Sequence, residues 1–413
     1  MSPLTKFALI AVVFVDLIGQ GLVFPIINEL VMDPKLVFLP VSTPEATRHY
    51  DYGLVIGVFF LCWFLGVVYI ARLSDTIGRK NAIMICLFGA LIGYLITIAA
   101  LFMNSLWMLI LGRAITGFTA GNQPIAQAAM VDASRNDAEK ARNMGFIVAG
   151  ISAGMVGGPI IGGVLSDKAI LGDFASVRLP IYCATLLVLA TIVLVQFSFK
   201  DIRETREKFV FDPLELFTLL LRIREKPLVA RLFLVYFCFM MANVSFYIFM
   251  DNYLTSRFGI GLFGTSMAMM VLGIAIATSS TFLVEPALAR FGKWRVIATV
   301  SVTMAVSAAL FVATPLPLFC YVFIATFYFG FGVAYPAMLG IFSASVGDDE
   351  QGWVMGVTTA GFTFAAGAMS LLGGLLMAVD IRMPFYIVLL AAVLALIFMR
   401  TTWNNEAVRR ITR

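Results

Sequence analysis

Two residues of this chain could move a proton or hold an ion at a depth where such groups are rare. Asp16 lies in the run "DLIGQGLVFPIINEL" and Arg113 in "LGRAITGFTAGNQPIAQ". A charge inside apolar sequence is costly enough that it faces a cavity or a partner. A carboxyl so placed can load and release a proton, and a guanidinium can hold an anion. Asp16 is the deepest acid of the N-terminal half and the first candidate for a proton carrier. The alternative is a permanent partner for a base such as Arg113. Gln20, four residues on, shares the face of Asp16. At about 100° per residue, Gln127 falls within about 40° of Arg113 and Asn122 nearly opposite. Arg113 and Gln127 are therefore expected to line one surface, with Asn122 and Gln123 serving helix contacts.

The second half offers fewer charges. Asn243, Tyr247 and Asp251 recur at four-residue steps on one helix face, with Asp251 expected at a water-exposed outer rim. Glu285 reads as a partner for Arg290 or Arg295. Phe237, Phe239, Met240, Tyr335, Met338 and Phe362 suit an adaptable apolar wall; lipid-facing and core filler is the alternative for most of them. The only histidine, His49, sits in a polar loop, and the five cysteines lie inside apolar runs as buried thiols. Zinc and triad chemistry have little to work with, and neither His-Glu-x-x-His nor Gly-x-Ser-x-Gly occurs. The chain is expected not to be an enzyme and to need no cofactor or metal.

Such residues must be positioned by helices in a bilayer. The 413 residues are 61% hydrophobic and 13% charged, whereas soluble domains carry about 25% charged residues. Apolar stretches recur near 5–29, 51–71, 81–103, 106–132, 142–165, 179–199, 229–254, 263–288, 295–313, 316–344, 353–378 and 383–402, each near the length of a membrane crossing. This predicts an all-α membrane protein with twelve spans. The run after Lys6 is long, holds Asp16 and lacks a small-residue cleavage site, so it reads as a retained first span. The expected parts are an N-terminal six-helix bundle over 1–199, a linker over 200–228, a C-terminal six-helix bundle over 229–402 and a tail over 403–413. In the linker, Phe211, Leu214, Leu216, Phe217, Leu220 and Leu221 alternate with Glu215, Arg222 and Arg224. That pattern suits an amphipathic helix on the membrane surface; a simple tether is the alternative.

Of the 29 Lys and Arg residues, Lys35, Arg48, Lys168, Arg178, Arg257 and Arg382 fall on one set of loops and Arg113 within a span, leaving the rest on the opposite face. The positive-inside rule puts both termini and the linker in the cytoplasm, in a multi-pass protein of the inner membrane. With charge placed this way, the net +5 does not indicate nucleic-acid binding. A monomer in the lipid bilayer is expected, with a small molecule and protons as its partners.

The halves also repeat. "NDAEKARNMGF" superimposes on "GDDEQGWVMGV", pairing Asp137 with Asp348, Glu139 with Glu350 and Gly145 with Gly356. Duplicated six-span halves mark secondary transporters. The stretch "GFIVAGISAGMVGGPIIGGVL" places Gly150, Gly154 and Gly158 at four-residue steps, a bare stripe along which another helix can approach closely. Between spans 2 and 3, "ARLSDTIGRKNAI" compresses Asp75, Gly78, Arg79 and Lys80 into a short connection. It is either a solvated loop or, with Asp132 at the end of span 4, an interhelical charge lock.

That loop resembles the signature loop of the major facilitator superfamily, with Ala71 where the family usually has glycine. The matching loop "EPALARFGKW" keeps Gly292 and Lys293 but has Ala289 in place of the acid, so the lock is expected to be stronger in the first half. Asp16, Gly19, Gly21 and Pro25 match the first-span pattern of drug/proton antiporters. Gly145, Gly154, Gly158, Pro159, Gly162 and Gly163 match the span-5 motif of antiporter branches. The resemblance covers nearly the whole chain and is closest to tetracycline-efflux proteins. It implies the major facilitator fold, two pseudo-symmetric six-helix bundles that alternate between inward-open and outward-open states. It further implies proton coupling through Asp16 and Arg113, and a leak-sealing hinge at the span-5 glycines. Substrate contacts are expected at Gln20, Arg113, Gln127, Asn243, Tyr247 and Tyr335. The implied activity is proton-coupled export of a drug or amphipathic metabolite. Export or proton-symport import of a polar or anionic metabolite, such as a carboxylate siderophore, is the alternative.

Overall fold

Lipid offers no hydrogen bonds to a bare backbone, so apolar segments of this length must satisfy their amides internally as helices. The computed structural model, which describes residues 3–132, 134, 137–199, 215–347 and 350–412, is correspondingly helical throughout. The first half contains α1 (Pro3–Met32), α2 (Glu45–Ile77), α3 (Arg79–Met103), α4 (Leu106–Phe118), α5 (Asn122–Asp132), α6 (Asp137–Ser166), the short α7 (Lys168–Leu171) and α8 (Leu179–Ser198). The second half contains α9 (Glu215–Glu225), α10 (Pro227–Phe258), α11 (Leu262–Phe282), α12 (Val284–Ala313), α13 (Pro317–Ala344), α14 (Gln351–Met377), α15 (Met383–Thr402) and α16 (Glu406–Thr412). The described residues group into two compact units. One is formed by Met1–Asp212 with Ile260–Met270, the other by Pro213–Gly259 with Val271–Arg413.

Connections follow from local chemistry. Gly78 joins α2 to α3 at φ 95°, and Gly292 bends α12 at φ 74°, a backbone region that favours glycine. Asn104 closes α3 in the left-handed region, and the Ser105 hydroxyl accepts from the Met108 amide at 3.4 Å to start α4. The loop after α1 is clasped by Arg48. Its buried guanidinium donates to the carbonyls of Val31 at 2.7 Å, Pro40 at 3.0 Å and Thr43 at 3.3 Å. His49 is not in that loop, as its polar surroundings suggested. It is buried in the first turns of α2, 3.7 Å from Glu45.

Eleven described helices are long and apolar enough to cross a bilayer on their own. The segment 106–132, expected as one continuous span, is instead divided into α4 and α5. The cause is in the sequence. Pro124 has no N–H to give the Ala120 carbonyl, and Thr119 caps α4 by bonding back to Ile115 with both its amide and its hydroxyl. The two pieces together complete the twelfth crossing of an all-α fold.

The first unit packs on small residues. A Cβ at Gly150 would fall 3.2 Å from the Ile10 carbonyl oxygen, at Gly154 2.7 Å from that of Phe14, and at Gly158 2.8 Å from that of Ile18. Each four-residue step on α6 thus meets a four-residue step on α1, backbone against backbone. Gly93 of α3 and Gly112 of α4 meet the same way, each facing the other's carbonyl at 2.8 Å. The second unit fills equivalent space with rings. Phe246 stacks on Phe327 at 4.3 Å and meets Phe311 at 5.0 Å and Phe385 at 5.5 Å.

Candidate functional site

The break after α4 decides which side chains gather inside the first unit. Asn122 is the first residue of α5, and its side chain is near enough to Asp16 on α1 to interact with the carboxyl. The helix contacts expected of Asn122 thus include α1 at Asp16. A single helical wheel drawn through 106–132 fails because the helix restarts at Asn122. Tyr94 on α3 interacts electrostatically with both Asp16 and Arg113, and its hydroxyl lies against Gly19, one turn beyond Asp16. Arg113 is buried on α4. Its guanidinium lies 4.0 Å from the centre of the Phe59 ring and 5.6 Å from that of Phe24, a cation–π arrangement. Phe59 and Phe60 are in edge contact at 5.3 Å, and Phe60 stacks on Trp63 at 6.0 Å. The half-buried Asp16 and the buried Tyr94, Arg113 and Asn122 therefore form one polar group, walled by aromatic residues of α1 and α2.

Such a group has definite chemistry. An ionised carboxyl accepts hydrogen bonds only, and a protonated one can also donate. Proton binding at Asp16 thus changes what Asn122 and Tyr94 can do around it. Gln20 and Gln127 are half-buried in the same unit. Sequence reading singled out Asp16 and Arg113, gave Asn122 to helix contacts only, and missed Tyr94 and Phe59. The signals were the helix-breaking Pro124 next to Asn122 and the ring-dense run "FFLCWF" on α2.

The remaining candidates lie in the second unit. Asn243 is buried on α10, Tyr247 half-buried one turn on, and Tyr335 stacks on Phe331 at 5.3 Å, which stacks in turn on Phe239 at 5.7 Å. Asp251 corrects the expectation of a wet rim. It is fully buried, and neither carboxyl oxygen has a hydrogen-bond partner among the described residues. Glu285 pairs with neither Arg290 nor Arg295 among the described residues, where the ion pairs lie elsewhere.

At the α2–α3 turn, Arg79 reaches Asp132 at the end of α5, 3.2 Å away, and the Ser74 hydroxyl at 2.6 Å. Lys80 donates to the Gln196 carbonyl at 2.8 Å. The Asp75 side chain and residues 200–214 fall outside the described residues. In the second unit the turn at Gly292 carries no such acid, and Lys293 donates to the Ile411 carbonyl at 2.9 Å. The repeat-related Glu139 and Glu350 hold matching contacts. Lys6 reaches Glu139 at 3.2 Å, and Lys226 reaches Glu350 at 2.9 Å, where Arg222 also bonds at 2.6 Å. Of the span-5 motif, Gly163 faces Ser266, Pro159 faces Gly21, and Gly145 faces open space. Among the described residues no group of His, Cys, Asp and Glu is suited to a metal ion.

The chain is similar to known proteins along most of its length. The chain is 28% identical to the class C tetracycline resistance protein of Escherichia coli, over 85% of this chain and 84% of that protein. It is 27% identical to the class D tetracycline resistance protein of Salmonella ordonez, over 86% and 85%. Its fold matches a D-xylose-proton symporter with a TM-score of 0.75 at 13% identity, covering 97% of this chain and 98% of the other. The human organic anion transporter MFSD10 matches with a TM-score of 0.70 at 16% identity, covering 96% and 100%. The family model described as Major Facilitator Superfamily matches residues 9–359 and 232–412; with its helical repeats and multi-pass build, the chain belongs to the major facilitator superfamily.

Proposed function

We propose that this chain is a proton-coupled secondary transporter of the inner membrane that exports small organic molecules by alternating access. Both termini lie in the cytoplasm. The observation that carries this reading is the polar group of Asp16, Asn122, Tyr94 and Arg113, which couples a protonatable carboxyl to a restarted helix. With Asp16 ionised, its interaction with the Asn122 side chain holds the start of α5 against α1. Protonation from outside turns the carboxyl into a donor, weakens its polar contacts and favours release and return. Arg113, set on the face of Phe59, suits an anionic or zwitterionic substrate with an aromatic or apolar body. Gln20 and Gln127 of the same unit supply further contacts, and Asn243, Tyr247 and Tyr335 are the candidates of the other unit. The pair of Arg79 and Asp132 is a lock that holds one conformation, with Asp75, Gly78 and Lys80, and the α6 glycines with Pro159 form the hinge that seals the path.

Relatives named for tetracycline resistance support export over uptake. The test is uptake of tetracycline into inverted vesicles with an imposed pH gradient. Wild type is expected to concentrate the drug, and Asp16→Asn and Arg113→Ala to lose accumulation. Both variants concentrating it as well as wild type would overturn the coupling assignment.

A further inference from the structure

The end of the second unit that carries the C-terminus holds a cavity of about 750 Å³ formed by the bend of α12, the last turns of α15 and the tail helix α16. Arg290, Arg295, Arg400 and Arg409 line it together with Trp294 and Trp403. Among the described residues no Asp or Glu lines it. Among the described residues none of these four arginines is in an ion pair, and the acid of α16, Glu406, is engaged by Arg410 at 3.2 Å. Positive charge is therefore gathered around an open volume with no Asp or Glu carboxylate beside it among the described residues.

Internal symmetry sharpens the point. Gly78 and Gly292 adopt nearly the same backbone, φ 95° and ψ 154° against φ 74° and ψ 158°. In the first unit the arginine after that glycine is met by Asp132. In the second the following Lys293 is spent on a carbonyl of α16, which pins the tail helix beside the cavity. Trp403 is buried and donates its indole N–H to the Arg231 carbonyl at 3.3 Å, so the back wall is fixed. The rim differs. Phe291 is 52% and Trp294 42% exposed, and tryptophan at the end of a span is suited to the headgroup level of a bilayer.

We propose that this cavity binds a phosphate-bearing anion, supplied by the headgroup of an anionic phospholipid in the leaflet at the C-terminal face. Arginine forks match phosphate oxygens, and the exposed Phe291 and Trp294 flank the acyl chains where they leave the headgroup. A soluble phosphate shares the first recognition element but has no use for the second.

Purified full-length protein in a neutral detergent is titrated with short-chain phosphatidylglycerol, with phosphatidylcholine of the same chains and with sodium phosphate. Retained lipid is read by native mass spectrometry and melting temperature by scanning fluorimetry. Phosphatidylglycerol is expected to bind at least about tenfold more tightly than phosphatidylcholine, on the scale that basic residues gain near anionic lipid. The double variant R290Q/R400Q is expected to lose that preference while keeping its melting temperature in phosphatidylcholine. Should it not fold, R295Q/R409Q serves instead, and R382Q at the other end of the unit is the charge control and keeps the preference. Equal binding of the two lipids, or a preference that survives the double variants, overturns the site. Inorganic phosphate binding as tightly as phosphatidylglycerol, with the same variant sensitivity, overturns the lipid as its source.

Discussion

Arg113 and Arg48 are both buried guanidiniums, yet they are held in opposite ways. Arg48 is fastened to three backbone carbonyls, a structural clasp on the loop after α1. Arg48→Ala removes that shared donor and is expected to cost about 3 kcal/mol, read as a lower melting temperature, with transport at permissive temperature preserved. Arg113 instead has its guanidinium carbon 4.0 Å from the centre of the Phe59 ring, and lysine has no planar group to place there. Arg113→Lys is expected to fold with wild-type stability and to lower the initial rate of tetracycline transport by at least about tenfold. A wild-type rate would show that the charge alone suffices. Depth in apolar sequence made Asp16 and Arg113 legible, because an isolated charge in lipid is rare. The burial of Asp251 was not legible, since distance from a span's end does not say how its neighbours close over it.

At the scale of elements, glycine spacing was readable and its consequence is quantitative. Gly154 faces the Phe14 carbonyl with no room for a methyl group, whereas a Cβ at Gly157 would meet the Phe14 ring at an ordinary 3.9 Å. Gly154→Ala is therefore expected to destabilise by about 1–3 kcal/mol and to impair transport. Gly157→Ala, one turn-position away and chemically identical, should be close to neutral; similar melting curves for the two would sink the register of α1 on α6. The division of span 4 was not readable from hydropathy, because averaging over a window hides a three-residue interruption. It required weighing Pro124 and the Thr119 cap against an otherwise apolar run, and missing it misplaced Asn122. The linker helix is a third case. The contacts of Arg222 in α9 and of Lys226 just after it with Glu350 join residues more than a hundred positions apart, which no local pattern shows.

Across the molecule, duplication set two acids at equivalent places, and each takes its cation from the start of its own half. Glu350 lies outside the spans, and the hydrogen bond from Lys226, with the charges of Lys226 and Arg222, holds its carboxyl below the ordinary 4.5. The sign follows from that direction: the anchoring of α9 is complete above about pH 4.5 and is lost as pH falls through the lowered value. Emission of Trp353, which Arg222 covers at 5.0 Å, is expected to change over that acidic window, and Glu350→Gln to abolish the transition. Persistence of the transition in that variant would assign it to another group. The duplication and the span count were legible because both are properties of long stretches, which survive errors at single residues. The bisected fourth crossing carries one last consequence, for parity. Only when α4 and α5 are tallied as one passage does the chain make an even number, so that a fluorescent tag fused behind α16 is expected to report the same compartment as one placed ahead of α1. A ruler that accepts only uninterrupted rods would send every segment after Asp132 to the wrong side.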